Sequence, residues 1–149
     1  MSLQQDVMTA LKDAMKSKDQ TALTALRAVK SAILLVQTES GAKAELTEEQ
    51  ELKILQKQVK QRKDSAAVYI EQGRQDLAAP ELAEAEIIAR FLPDALSEEE
   101  IEKVVVATIA NVGAQGMKDM GKVMGIVSKE LAGKADGKTI STIVKAKLT

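Results

Sequence analysis

The sequence is poorest in the side chains that most often carry chemistry. It has no cysteine and no histidine, which removes disulfides, thiolate nucleophiles, the commonest general base and the commonest transition-metal ligands together. No structural zinc site and no metal or organic cofactor is therefore expected. Tryptophan is absent, and Tyr69 and Phe91 are the only aromatics, so a core must be built from Leu, Ile, Val, Ala and Met. The scarcity of aromatics also removes the stacking platforms on which single-stranded nucleic acid is usually read. No apolar run approaches the roughly 18 residues of a membrane span, and Met1-Ser2-Leu3-Gln4-Gln5-Asp6 lacks the basic start and apolar stretch of a signal peptide. A cytoplasmic protein without membrane contact is expected.

What is present suits a globular helical protein: 149 residues, 45% apolar and 29% charged, with two prolines. Net charge is −1, but its distribution is uneven. From Lys103 to Thr149 there are eight lysines against Asp119, Glu130 and Asp136, a local excess of five.

Helix signals recur along the whole chain. Ser2 with Gln5 forms a capping box ahead of Leu3, Val7, Leu11 and Ala14 at helical spacing. Asp19 can cap a second helix carrying Leu23, Leu26, Val29, Ile33 and Leu34, closed by Gly41. Thr47 with Gln50 opens a third, through Leu52, Leu55, Val59 and Tyr69 to Gly73. Asp76 can cap a fourth with Leu82, Ile87 and Phe91, with Pro80 in its first turn and Pro93 beyond its end. Ser97-Glu98-Glu99-Glu100 is a capping box whose acids suit the positive helix end. Behind it Ile101, Val104, Val105, Thr108, Ile109 and Val112 share one helical face. Asp119 can cap a sixth helix that stops at Gly133, and Asp136 a seventh through Ile140, Ile143, Val144 and Leu148. The fold class is all-α, with a four-helix N-terminal domain, residues 1–92, and a three-helix C-terminal domain, residues 97–149. The boundary falls at Pro93–Leu96. The six methionines read mostly as core filler.

One helix holds the least ordinary pattern. Met120, Val123, Met124, Val127 and Leu131 form an apolar stripe, while Lys118, Lys122, Gly125 and Lys129 lie on another, with Gly121 a turn before Gly125. A glycine within a helix costs about 0.5–1 kcal/mol relative to alanine. Two of them four residues apart imply that something comes close to the backbone. A neighbouring helix packed on the glycines explains this as well as a phosphate backbone held by the lysines does. Lys134, Gly137 and Lys138 continue the basic character. Two near-matches to a nucleotide-binding loop fail. Gly116 to Gly121-Lys122 has Val123 where Ser or Thr is needed, and Gly133 to Gly137-Lys138-Thr139 is one residue short. In the third helix Lys57, Lys60, Arg62 and Lys63 form a second basic patch, ordinarily a solvated face and otherwise an anion contact. Glu81, Glu84 and Glu86 have no partners that would make them catalytic and read as surface. No catalytic residue is identified.

Several stretches in order carry a resemblance: Lys57–Ser65, Gly73-Arg74-Gln75-Asp76-Leu77, Phe91-Leu92-Pro93 followed by Leu96–Ile101, Asp119-Met120-Gly121-Lys122-Val123-Met124-Gly125, and Gly133–Lys138. Together they resemble the GatB/YqeY family over essentially the whole chain, in its stand-alone form. The resemblance implies a C-terminal domain similar to the tail of the B subunit of the tRNA-dependent amidotransferase. There the tail helps hold tRNA while phosphorylation and amide transfer occur elsewhere. The Asp119–Gly125 and Gly133–Lys138 motifs match that tail, and the catalytic cradle has no counterpart here. Fold kinship does not transfer the reaction. The expected role is a tRNA-binding or tRNA-enzyme accessory module, with tRNA and tRNA-charging or amidotransferase subunits as partners. Two other roles stay open: a component of a glutamine-dependent carbon–nitrogen ligase, inactive without other subunits, and a protein-interaction adaptor whose glycine strip receives a partner helix.

Overall fold

A computed structural model describes residues 2–39 and 45–149. Among these residues the secondary structure is entirely helical: α1 (Leu3–Ser17), α2 (Gln20–Glu39), α3 (Glu48–Glu71), α4 (Gln75–Ala89), α5 (Glu98–Val112), α6 (Met120–Glu130) and α7 (Gly137–Leu148), with one 3-10 turn at Met117–Asp119 before α6. The protein is all-α, and it divides into two compact units, Met1–Leu92 and Pro93–Thr149.

The helices begin where local chemistry favours it. Ser2 and Thr47 each form a complete capping box, with Gln5 and Gln50 returning their side-chain oxygens to the cap N–H. Asp19 Oδ1 accepts the Ala22 N–H at 3.0 Å at the start of α2. Gly41, expected to close α2, lies outside the described residues. Gly73 ends α3 at φ +71°, a left-handed conformation that favours glycine, and lets Arg74 N–H reach Tyr69 O at 2.8 Å. At α5 the box is only half made. Ser97 Oγ accepts the Glu100 N–H at 3.2 Å, but the Glu100 carboxylate takes the Ser97 hydroxyl instead of the cap N–H.

In the N-terminal unit, Leu3, Val7, Leu11 and Ala14 of α1 meet Leu23, Leu26, Val29 and Ile33 of α2, Leu55 and Val59 of α3, and Ala85 and Ile88 of α4. In the C-terminal unit, Ile101 and Val105 of α5 pack with Val123 and Val127 of α6, Leu131 just beyond it, and Ile140, Val144 and Leu148 of α7. Burying such aliphatic side chains stabilises each unit by about 1.5–3 kcal/mol per residue before entropy is counted.

Several expectations are corrected. Leu34 and Leu82 are exposed, because each sits at the margin of its helix's apolar stripe. Pro80 is the sixth residue of α4, past the first turn, and α4 starts at Gln75, so Asp76 lies inside the helix. Its carboxylate instead holds Arg74, Nε to Oδ1 at 3.0 Å and Nη2 to Oδ2 at 2.9 Å. This pairing lowers the Asp76 pKa below the ordinary carboxylate value. The small stabilisation it brings is therefore complete above the ordinary carboxylate pKa and fades as pH falls through the lowered one. The methionines divide. Met120 and Met124 pack on the C-terminal core, whereas Met8, Met15 and Met117 are exposed.

Glu84 is not a surface residue. It reaches from α4 to Arg62 of α3 at 3.6 Å, with side chains 14% and 13% exposed respectively. Arg62 also donates to Gln58 O and Oε1 at 3.2 and 2.8 Å. Removing one partner leaves a largely desolvated charge, so Glu84→Ala should lower stability by roughly 1–3 kcal/mol in urea unfolding. Arg62→Met with Glu84→Leu should recover most of that loss. A Glu84→Ala protein as stable as wild type would remove the pair from the account of how α3 holds α4.

Candidate nucleic-acid interface

Helix α6 is held by one face. Val123 and Val127 are fully buried, Met120 and Met124 half-buried, and Leu131 closes the stripe in the turn that follows. That leaves the opposite face outside the core. Gly121, Lys122, Gly125, Ser128 and Lys129 are all exposed there. A Cβ built on Gly121 or on Gly125 meets nothing within 4 Å. No helix of the C-terminal unit packs on the glycine strip. Lys122 and Lys129 flank Gly125 three residues before and four after, about 10 Å apart along the axis at 1.5 Å per residue.

Lys118 stands in the 3-10 turn, Lys134 in the turn after α6, and Lys138 in the first turn of α7. All are exposed, and none of these five lysines enters an ion pair among the described residues. The turn is held by backbone: Lys134 N–H donates to Leu131 O, and Lys134 O accepts from Leu96 N–H, both at 2.9 Å. Gly137 is the exposed first residue of α7, with open space where a Cβ would stand. Asp136 caps α7 by accepting the Lys138 N–H at 3.3 Å.

Asp119 behaves differently from the cap expected of it. The 3-10 turn puts its backbone at φ −94°, ψ 1°, not the extended conformation of a cap, and its side chain makes no bond to α6. The carboxylate turns back to accept Gln115 N–H at 3.0 Å. The start of α6 therefore carries no carboxylate cap.

The second basic patch is largely neutralised by its own chain. Lys60 pairs with Asp64 at 3.1 Å, Arg62 is folded against Glu84 and Gln58, and only Lys57 and Lys63 remain as exposed cations without an ion pair among the described residues. The two nucleotide-loop near-matches also fail structurally. Gly116 precedes a 3-10 turn, Gly133 follows α6, and no strand leads into either among the described residues.

Two members of the α6 surface escape a reading based on charge and glycine alone. Ser128 lies three residues past Gly125 on the same face, and Met117 four before Gly121, both exposed. Their signal is the outward spacing of 117, 121, 125 and 128, which the buried stripe at 120, 123, 124 and 127 implies.

The model of the Yqey-like protein family matches residues 4–148. The chain is 40% identical over 73 residues to a glutamyl-tRNA(Gln) amidotransferase subunit from Thermococcus gammatolerans, covering 46% of this chain and only 12% of that protein. It is 41% identical over 97 residues to altered inheritance of mitochondria protein 41, mitochondrial, of Clavispora lusitaniae, covering 63% of this chain and 55% of that protein. The protein of the same name from Pyrenophora tritici-repentis is 28% identical over 127 residues, 84% of this chain and 68% of its own length. No described helix is long and apolar enough to cross a membrane. With the family match running through both units, the chain belongs to the Yqey-like protein family.

Proposed function

We propose that the C-terminal domain, residues 97–149, holds the phosphate backbone of tRNA, and that the chain serves as an accessory to an amidotransferase or another enzyme acting on charged tRNA. The observation that carries this reading is the open glycine pair of α6 set among lysines without ion pairs among the described residues. A helix that loses stability at two positions, with no neighbour in its own unit to justify them, offers bare backbone to a partner. The cations around it suit an anionic polymer. Lys118, Lys122 and Lys129 would meet phosphates along α6, and Lys134 and Lys138 beyond its end. Gly121 and Gly125 would admit the sugar-phosphate chain to the helix surface. Both aromatics of the chain precede Pro93, so contact here is with phosphates, sugar and shape, not with stacked bases.

The partial likeness to an amidotransferase subunit supports the choice of tRNA, and amidotransferase components are the proposed protein partners. No chemical step is assigned to the chain itself. The reading puts it in the cytoplasm, whereas two relatives are named as mitochondrial proteins.

Filter binding of tRNA against salt tests the site. Lys122→Glu with Lys129→Glu should weaken affinity at least about tenfold and flatten the slope of log K against log salt by about two, one for each lost phosphate contact. Unchanged affinity and slope would sink the assignment. The glycines provide a test of opposite signs. Gly125→Ala should raise stability by roughly 0.5–1 kcal/mol, because the site is an open helix interior. Gly125→Leu should weaken tRNA binding with no loss of fold. If the leucine variant bound tRNA like wild type, close approach to the backbone would have no part in binding.

A further inference from the structure

The N-terminal unit has an unpartnered surface of its own between α1 and α2. The two helices run antiparallel, with Gln4 Nε2 donating to Gln37 Oε1 at 3.2 Å. Between them lies a groove of about 170 Å³ lined by Gln4, Val7 and Met8 from α1 and by Lys30, Ile33 and Leu34 from α2. Its apolar rim is open to solvent: Met8 is 38% exposed and Leu34 50%, while Met15 further along α1 is 58% and Leu35 further round α2 is 61%. The volume is below the roughly 300 Å³ at which small-molecule pockets begin, and suits one or two aliphatic side chains. Exposed methionine and leucine along two adjacent ridges form the kind of surface that accepts an amphipathic helix.

Charge specifies the occupant. Lys12 follows Met8 by one turn on α1, and Lys30 and Arg27 precede Leu34 by one and two turns on α2, so cations line both sides of the apolar track. Lys12, Arg27 and Lys30 are exposed, and none has an ion pair among the described residues. From Gln20 to Thr38 α2 contains no acidic residue. The acids of α1, Asp6 and Asp13, are set about 160° and 140° round the helix from Met8. We infer that this face docks an acidic amphipathic helix of another protein, with its aliphatic side chains in the Met8–Leu34 groove and its carboxylates against Lys12, Arg27 and Lys30. A nucleic acid would meet the cations but leave the apolar track unfilled. A second copy offering the same face would set like charges together.

The test uses the full chain and two fluorescein-labelled helical peptides. Both carry leucine at i, i+4 and i+7 on an alanine backbone, one flanked by glutamates and the other by lysines. The acidic peptide should bind at least about tenfold more tightly by fluorescence anisotropy, a difference that shrinks with salt. Leu34→Glu should remove its binding, and Arg27→Glu with Lys30→Glu should reverse the preference. All three positions are exposed, so thermal melts should match wild type, and Met8→Glu, at an exposed position that lines the groove, serves as a second variant of the apolar track. Equal binding of the two peptides, or binding indifferent to Leu34→Glu and Met8→Glu alike, would overturn the inference. So would tRNA affinity that falls with Arg27→Glu and Lys30→Glu, which gives the face to RNA, or a wild-type dimer in sedimentation that Leu34→Glu dissolves.

Discussion

Burial of branched aliphatic stripes is the interaction on which both units depend. With no cysteine for disulfides and only two aromatics, each unit must obtain most of its cohesion from Leu, Ile, Val and Ala at helical spacing. In the C-terminal unit, Val105, Val123, Val127 and Val144 are wholly excluded from solvent. Only one face of each short helix can take part in so small a core. The other face of α6 lies outside that core, and this is where glycine and lysine stand. The same economy on α1 and α2 leaves Met8 and Leu34 outside the N-terminal core.

Electrostatics then separates surfaces that look alike in composition. Arg62 and Lys60 are cations in a basic run, yet one is folded against Glu84 and the other paired with Asp64. The lysines of α6 and the turn after it have no such partners among the described residues. A charge matched within the chain has little left for a polyanion, whereas an unmatched one beside bare backbone has both charge and access. Thus α6, and not α3, is the better candidate for such contact, although α3 has more cations in sequence.

Most of the helical architecture was legible because local rules were strong. Two complete capping boxes and the glycine after α3 mark boundaries through bonds within a few residues of each other. The misreadings share a different cause. Periodicity shows the centre of a buried face but not how far its neighbours reach, so Leu34 and Leu82 look like core and are not. Asp119 is drawn away by a 3-10 turn with no distinctive sequence. The Arg62–Glu84 contact joins residues 22 apart and follows only once α3 and α4 are known to pack. For the interface, residue types and spacing were visible from the start. What they could not reveal was whether a helix of the same unit covered the glycines, and there is open space above both.

Hydrogen exchange of the full chain, with and without tRNA, tests the central claim most directly. The account predicts that bound tRNA slows amide exchange across residues 117–138, most strongly around Gly121 and Gly125, and leaves α1 and α2 unchanged. Protection confined to the N-terminal unit, or tRNA bound with no change in α6, would contradict it.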